Sequence, residues 1–148
     1  MKHLICWVFA TLFASSAFAQ PTISSGSPSL DITVKRAFAQ GEDVCVDLII
    51  TCRTDWEWIN IYHCRVFDDE GNCYDSNDKR IDVLVDEKTF DLCNYRAIVY
   101  LAKDIPRKAR IIIKKVDDFA TTLSQINISW KYNNNCMAVV KNIPITKE

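Results

Sequence analysis

The sequence is poor in the residues that many chemistries depend on. Glycine occurs three times and histidine twice in 148 residues. The glycines are Gly26, Gly41 and Gly71. Neither a Gly-rich phosphate loop nor a G-x-S-x-G nucleophile elbow can be assembled from them. Beyond the first nineteen residues His63 stands alone, so any Ser-His-Asp or Cys-His device must use it. No stretch approaches the ~20 consecutive apolar residues of a spanning helix. An excess of one charge sign is lacking as well: 18 Lys and Arg face 19 Asp and Glu, a net charge of −1. That balance selects against nucleic acid or an acidic lipid surface as partner. The basic stretch Lys103, Arg107, Lys108, Arg110, Lys114 and Lys115 is interrupted by Asp104 and followed by Asp117 and Asp118. It is expected to be a solvated strand rim.

What is present begins with an export signal. Lys2 precedes an apolar run from Leu4 to Phe13, and small residues lead to Ala17-Phe18-Ala19. This is the pattern of a secretory signal peptide cleaved after Ala19. The remaining residues are expected to be soluble and secreted or periplasmic, with 20–29 a flexible Ser/Pro/Gly leader and 30–148 a single domain. Seven cysteines become six when Cys6 leaves with the signal. An even count in an exported chain points to disulfides. Cys45 and Cys52 lie on one expected strand at a separation of about 23 Å, too far to bridge. Cys64 and Cys73 flank an expected hairpin and form the favoured pair. Cys45 and Cys52 then each take one of Cys93 and Cys136, and strand parity favours Cys52–Cys93 with Cys45–Cys136.

Hydrophobic alternation of period two runs through most of the chain from Leu30. "LDITVKRAF" alternates, "GED" turns, and "VCVDLIITC" puts Val44, Val46, Leu48, Ile50 and Cys52 on one face, with Cys45, Asp47, Ile49 and Thr51 on the other. "WEWINIYHCRVF" is apolar on both parities and is expected to be a bulged strand. Further strands are expected at 73–75, 80–85, 95–102, 110–116, 126–132 and 136–145. "DDFATTLSQ" is expected to be a loop or helical turn capped by Asp117. No long amphipathic helical period occurs. Short strands with turn signals every ten or so residues point to an all-β protein, a β-sandwich of about seven to nine strands.

The segment "HCRVFDDEGNCYDSNDKR" at 63–80 concentrates the charged residues. Asp68, Asp69, Glu70, Asp75, Asn77 and Asp78 offer oxygen ligands for calcium. The spacing fails the D-x-[DN]-x-[DN]-G pattern, since Val66 stands where the first aspartate belongs. A hairpin tip with Gly71 at positive φ is the simpler expectation. No zinc spacing is present. The acidic pairs adjoin in sequence and fall in loops, so nothing marks two convergent carboxylates for glycoside hydrolysis. No cofactor and no metal are expected. The sequon Asn127-Ile128-Ser129 lies inside an expected strand and is attributed to chance.

Trp56 and Trp58, two residues apart, share one strand face. They form either a core wall or a platform for a sugar ring or a protein partner, and they are the candidate ligand-contacting residues.

At "VFDDEGNCY" followed by "YRAIVYLAKDIPRKARIIIKK" the chain resembles a group of exported bacterial immunoglobulin-like domains of unknown function. The likeness spans roughly residues 30–116 and rests on Phe67, Asp68, Gly71, Tyr74, Ile98, Pro106 and Ile111–Ile113, with "DVCVDLIIT" as the second strand. The six cysteines and the tail after residue 117 depart from that pattern. The resemblance implies fold and export, and no activity. The sequence therefore points to a non-catalytic binding module that meets a protein or glycan. A small secreted hydrolase or hydrolase inhibitor is one alternative, and a calcium-stabilised adhesin-like domain another.

Overall fold

A computed structural model describes residues 21–55 and 58–147. The expected signal peptide and the candidate Trp56 lie outside the described residues. The strands are β1 (Thr22–Ser24), β2 (Leu30–Gln40), β3 (Asp43–Cys52), β4 (Trp58–Asp68), β5 (Cys73–Asp75) and β6 (Ile81–Val85), then β7 (Lys88–Asp91), β8 (Ala97–Tyr100), β9 (Arg107–Ile113), β10 (Thr122–Lys131) and β11 (Asn135–Thr146). One 3-10 turn at Ser76–Asp78 follows β5, and no α-helix occurs among the described residues.

The protein is all-β. Nine strands form one curled, mixed sheet in the order β5-β4-β10-β11-β2-β3-β9-β6-β7, a half-barrel rather than two separate layers. β1 adds to β11 and β8 adds to β4 off this path. Among the described strands, β11 pairs β2 in parallel, where Ile145 and Thr146 meet Ala37 and Phe38. Upstream of Pro144, β11 is antiparallel to β10. This single long strand joins the two arms of the curl. Pro144 lacks the N–H that a regular ladder would use, and it sits where the strand changes partners.

Alternation carries the fold. Along β3 the even-numbered residues Val44 to Cys52 are buried, and Asp47, Ile49 and Thr51 on the other face are partly exposed. β2 alternates in the same way until a bulge at Lys35, between the Val34–Leu48 and Arg36–Asp47 pairs, resets its phase so that Ala37 turns inward. The bulge expected in β4 occurs where His63 faces Ser129 and Ile61 faces Trp130. Both arms contribute to one core, with Leu48, Ile50 and Ile111 from one and Ile59, Ile126, Ile128 and Trp130 from the other.

Within the expected leader, Thr22–Ser24 form β1 on β11. Residues 122–125 extend β10 instead of belonging to a loop, while Asp117 does shape a turn by accepting from Phe119 N at 2.9 Å. β7 was not legible as a strand. The run expected over 95–102 contracts to β8, an edge strand with Ala97 and Val99 buried but Ile98 and Tyr100 exposed.

The β6–β7 hairpin turns on Asp86 and Glu87, at φ 49° and 65°. A two-residue turn with both φ positive is type I′, which favours Asn-Gly. Asp86 is held by an ion pair with Arg107, whereas Glu87 makes no ion pair among the described residues. Glu87→Gly is expected to stabilise the chain by about 0.5–1 kcal/mol by relieving the left-handed strain. A higher urea midpoint with an unchanged m-value checks this.

Candidate functional site

The acidic segment folds as the expected hairpin between β4 and β5, with Gly71 at φ 86°. Its carboxylates are consumed one by one. Asp68 is buried and accepts from Glu70 N (3.0 Å), Asn72 N (2.8 Å), Asn72 Nδ2 (2.9 Å) and the Tyr74 hydroxyl (2.8 Å). Tyr74 Oη in turn accepts from Asp117 N at 3.0 Å. Burial, with Asp68 beside it, pushes the Tyr74 phenol up to about 12. Asp69 receives the N–H groups of Thr121 and Thr122 and the Thr121 hydroxyl. Asp75 binds His63 Nε2 (3.0 Å), Arg65 Nε (2.7 Å) and Asn77 N (2.9 Å). The calcium candidates Asp68, Asp69, Glu70, Asp75 and Asp78 thus do not converge, and no group of three or more His, Cys, Asp or Glu is set to hold a metal among the described residues. The loop is a knot that ties the β4–β5 hairpin to residues 117–122.

Burial pushes the Asp75 carboxyl up, but hydrogen bonds from Asn77, Arg65 and His63 outweigh it and hold the group below the ordinary carboxylate range. Asp69 is lowered in the same way by Thr121 and Thr122. A carboxylate depressed in the folded state contributes stability above its unfolded pKa of about 3.9, and that contribution is lost as pH falls through the folded value. The melting temperature is expected to fall steeply below pH ~4, and Asp75→Asn to flatten part of that fall. A melting series from pH 7 to pH 2 on both chains checks it.

His63 is therefore paired with a carboxylate, and Ser129 lies opposite it across the β4–β10 ladder. These three residue types resemble a nucleophile, base and orienting acid. Yet Ser129 makes no hydrogen bond to His63.

The cysteines do not pair. All six described cysteines are free. In the β4–β5 register Cys73 faces Phe67, three positions from Cys64, and Cys64 is buried while Cys73 is exposed. An odd offset puts the two on opposite faces, which overturns the Cys64–Cys73 bridge. Cys45 is on the outer face of β3 and bonds Gln40 Oε1, whereas Cys136 faces Trp130 and packs toward the core. The Cys52 thiol is directed to Thr54 O and the Cys93 thiol to Asn77 O. Neither Cys45–Cys136 nor Cys52–Cys93 forms. Burial pushes the Cys45 and Cys64 thiols up, so both behave as small apolar fillers.

Exposed apolar side chains gather on the outer face of β4 and β8. Trp58 faces Tyr100 across that ladder, and Asn60 faces Ile98. Trp58 is half-buried, with the Tyr132 ring edge-on at a centroid distance of 6.0 Å and 72° between planes. Tyr100 is 62% exposed, Ile98 40%, and Tyr95, just before the strand, 67%. Lys88, Arg96 and Lys131 rim this surface, and none has an ion pair among the described residues. Trp58 was legible as a platform candidate, but Tyr100 and Ile98 were not. Their signal was the same alternation, read as burial on both faces.

A wider groove of about 510 Å³ crosses the opposite arm over Ile49 and Leu84. Within it Asp47 binds Arg36 and Arg110, and both guanidinium groups cover Phe38, while Lys35, Glu87 and Lys108 on its lining make no ion pair among the described residues. No family model and no curated protein matches the chain.

Proposed function

We propose that the chain is an exported, non-catalytic binding module with an immunoglobulin-like frame, and that the outer face of β4 and β8 meets a protein partner. One observation carries this: Trp58, Tyr100 and Ile98 form a contiguous apolar row at a sheet edge, flanked by three cations that make no ion pair among the described residues. Aromatic rings with an apolar body and a polar tip, rimmed by charge, are the composition that interfaces favour. The leader-like residues 1–19 support export, and the all-β frame supports the immunoglobulin-like assignment.

Tyr100→Ser and Trp58→Ala are expected to abolish partner binding with little change in melting temperature, because Tyr100 is mostly outside the core. A partner cross-linked to the native chain in its own host and lost from both variants supports the surface. Retention by both variants overturns it.

The His63–Asp75 pair favours one second reading, a small hydrolase using His63 as base. Any activity that survives His63→Ala unchanged removes it.

A further inference from the structure

Building on that surface, we propose that β8 is a docking edge for an extended, acidic-flanked peptide, which adds to the sheet as its next strand.

β8 is paired to β4 on one side, and no strand covers its other edge among the described residues. In an antiparallel pair alternate residues direct their N–H and C=O away from the neighbour. Part of the backbone of Ala97–Tyr100 is therefore available to another strand. Natural proteins guard such edges with a charge, a proline or a bulge. "AIVY" carries none of these.

A floor for the incoming strand exists beside that edge. In the β6–β7 hairpin Val83 faces Phe90 and Val85 faces Lys88, so these four side chains share one face. Val83 and Val85 are in the core, and Phe90 packs against it from the margin. Val85, Asp86, Lys88, Phe90, Ile98 and Tyr100 line a cleft of about 260 Å³ between the hairpin and β8, and Asp86 there is neutralised by its ion pair with Arg107. A strand laid along β8 at about 4.8 Å would drop alternate side chains onto Phe90 and Val85 and direct the others outward beside Tyr100. The cleft has room for a few side chains of such a four-residue ladder.

Charge decides between occupants. Lys88 stands over the Phe90 ring, 5.1 Å from its centroid, Arg96 opens β8, and Lys131 is in the same cross-strand row as Asn60 and Ile98. A second copy of this chain pairing β8 with β8 would bring two such sets of cations together, and like charges in register repel. An extended peptide with alternating apolar residues and Asp or Glu at its ends meets both the floor and the rim.

The test uses the full chain and a phage library of random twelve-residue peptides. Enrichment of sequences with alternating β-branched or aromatic residues and flanking Asp or Glu is expected. A synthetic copy of the best sequence should lose at least tenfold in affinity when N-methylated at residues of one parity, and little when methylated at the other. Only a strand ladder distinguishes the two sets. Lys88→Glu with Arg96→Glu should also weaken it at least tenfold. Equal tolerance of both methylation sets overturns strand addition, and loss with Tyr100→Ser would then still leave the surface reading standing. Enriched peptides that ignore Tyr100→Ser and Trp58→Ala overturn both. Failure to enrich any peptide overturns the strand proposal alone.

Discussion

Asp68→Ala is expected to destabilise the chain by about 3 kcal/mol or more, read as a fall in the urea midpoint. Four hydrogen bonds converge on this buried carboxylate, and hydrogen bonds to a charged group contribute about 1.5–3 kcal/mol each, net of the exchange with water. Alanine leaves the Tyr74 hydroxyl without its acceptor in a closed site, and it releases the loop at 69–72. Because Tyr74 also accepts from Asp117, the damage spreads from the β4–β5 hairpin to the 117–122 turn. Tyr74→Phe should cost less, about 1–2 kcal/mol. The double variant should fall short of the sum, since both changes break the same bond. Full additivity would show that the two residues act separately.

Trp130→Ala is the second large effect, at about 3–5 kcal/mol for an aromatic side chain removed from a packed core. Trp130 is only 1% exposed, and its Nε1–H donates to Ser25 O at 3.1 Å. The indole therefore fills the core and pins the segment that brings β1 onto β11. Gly26 reinforces that pin, because a Cβ there would lie 2.3 Å from Met137 O. Alanine at 130 should both lower the midpoint and open residues 21–29 to limited proteolysis. Trp130→Phe, which retains a ring but loses the donor, should expose the same segment at a smaller stability cost. Cleavage that does not change in either variant would refute the pinning role.

The parts of this fold that were legible in the sequence are those where one sheet face is buried and the other is wet. β2 and β3 alternate cleanly because Asp, Thr and Lys mark the outer face. The β4–β5 hairpin was legible from Gly71 and the aspartates around it, since turn chemistry is local. What failed depended on partners distant in sequence. β8 reads as buried on both faces because Ile98 and Tyr100 are apolar, and sequence alone does not say that its outer side lacks a covering layer. The cysteine pairing failed for a similar reason. Cys64 and Cys73 are near in sequence, but the register places them three positions apart on opposite faces. Of the candidate surface, Trp58 was visible as half of a tryptophan pair. Its neighbour Tyr100 is forty-two residues on, and only the β4–β8 register joins them.

The placement of β11 has a consequence for how the chain is made. β11, made after every other described strand, lies in the interior of the strand order, between β10 and β2. Until residues 135–146 emerge from the ribosome, the β2–β3 arm and the β4–β10 arm each present an unpaired inner edge toward the other. Nascent chains should therefore be most vulnerable to strand-mediated sticking in the interval after β10 and before β11, and a factor that shields open edges would be needed then.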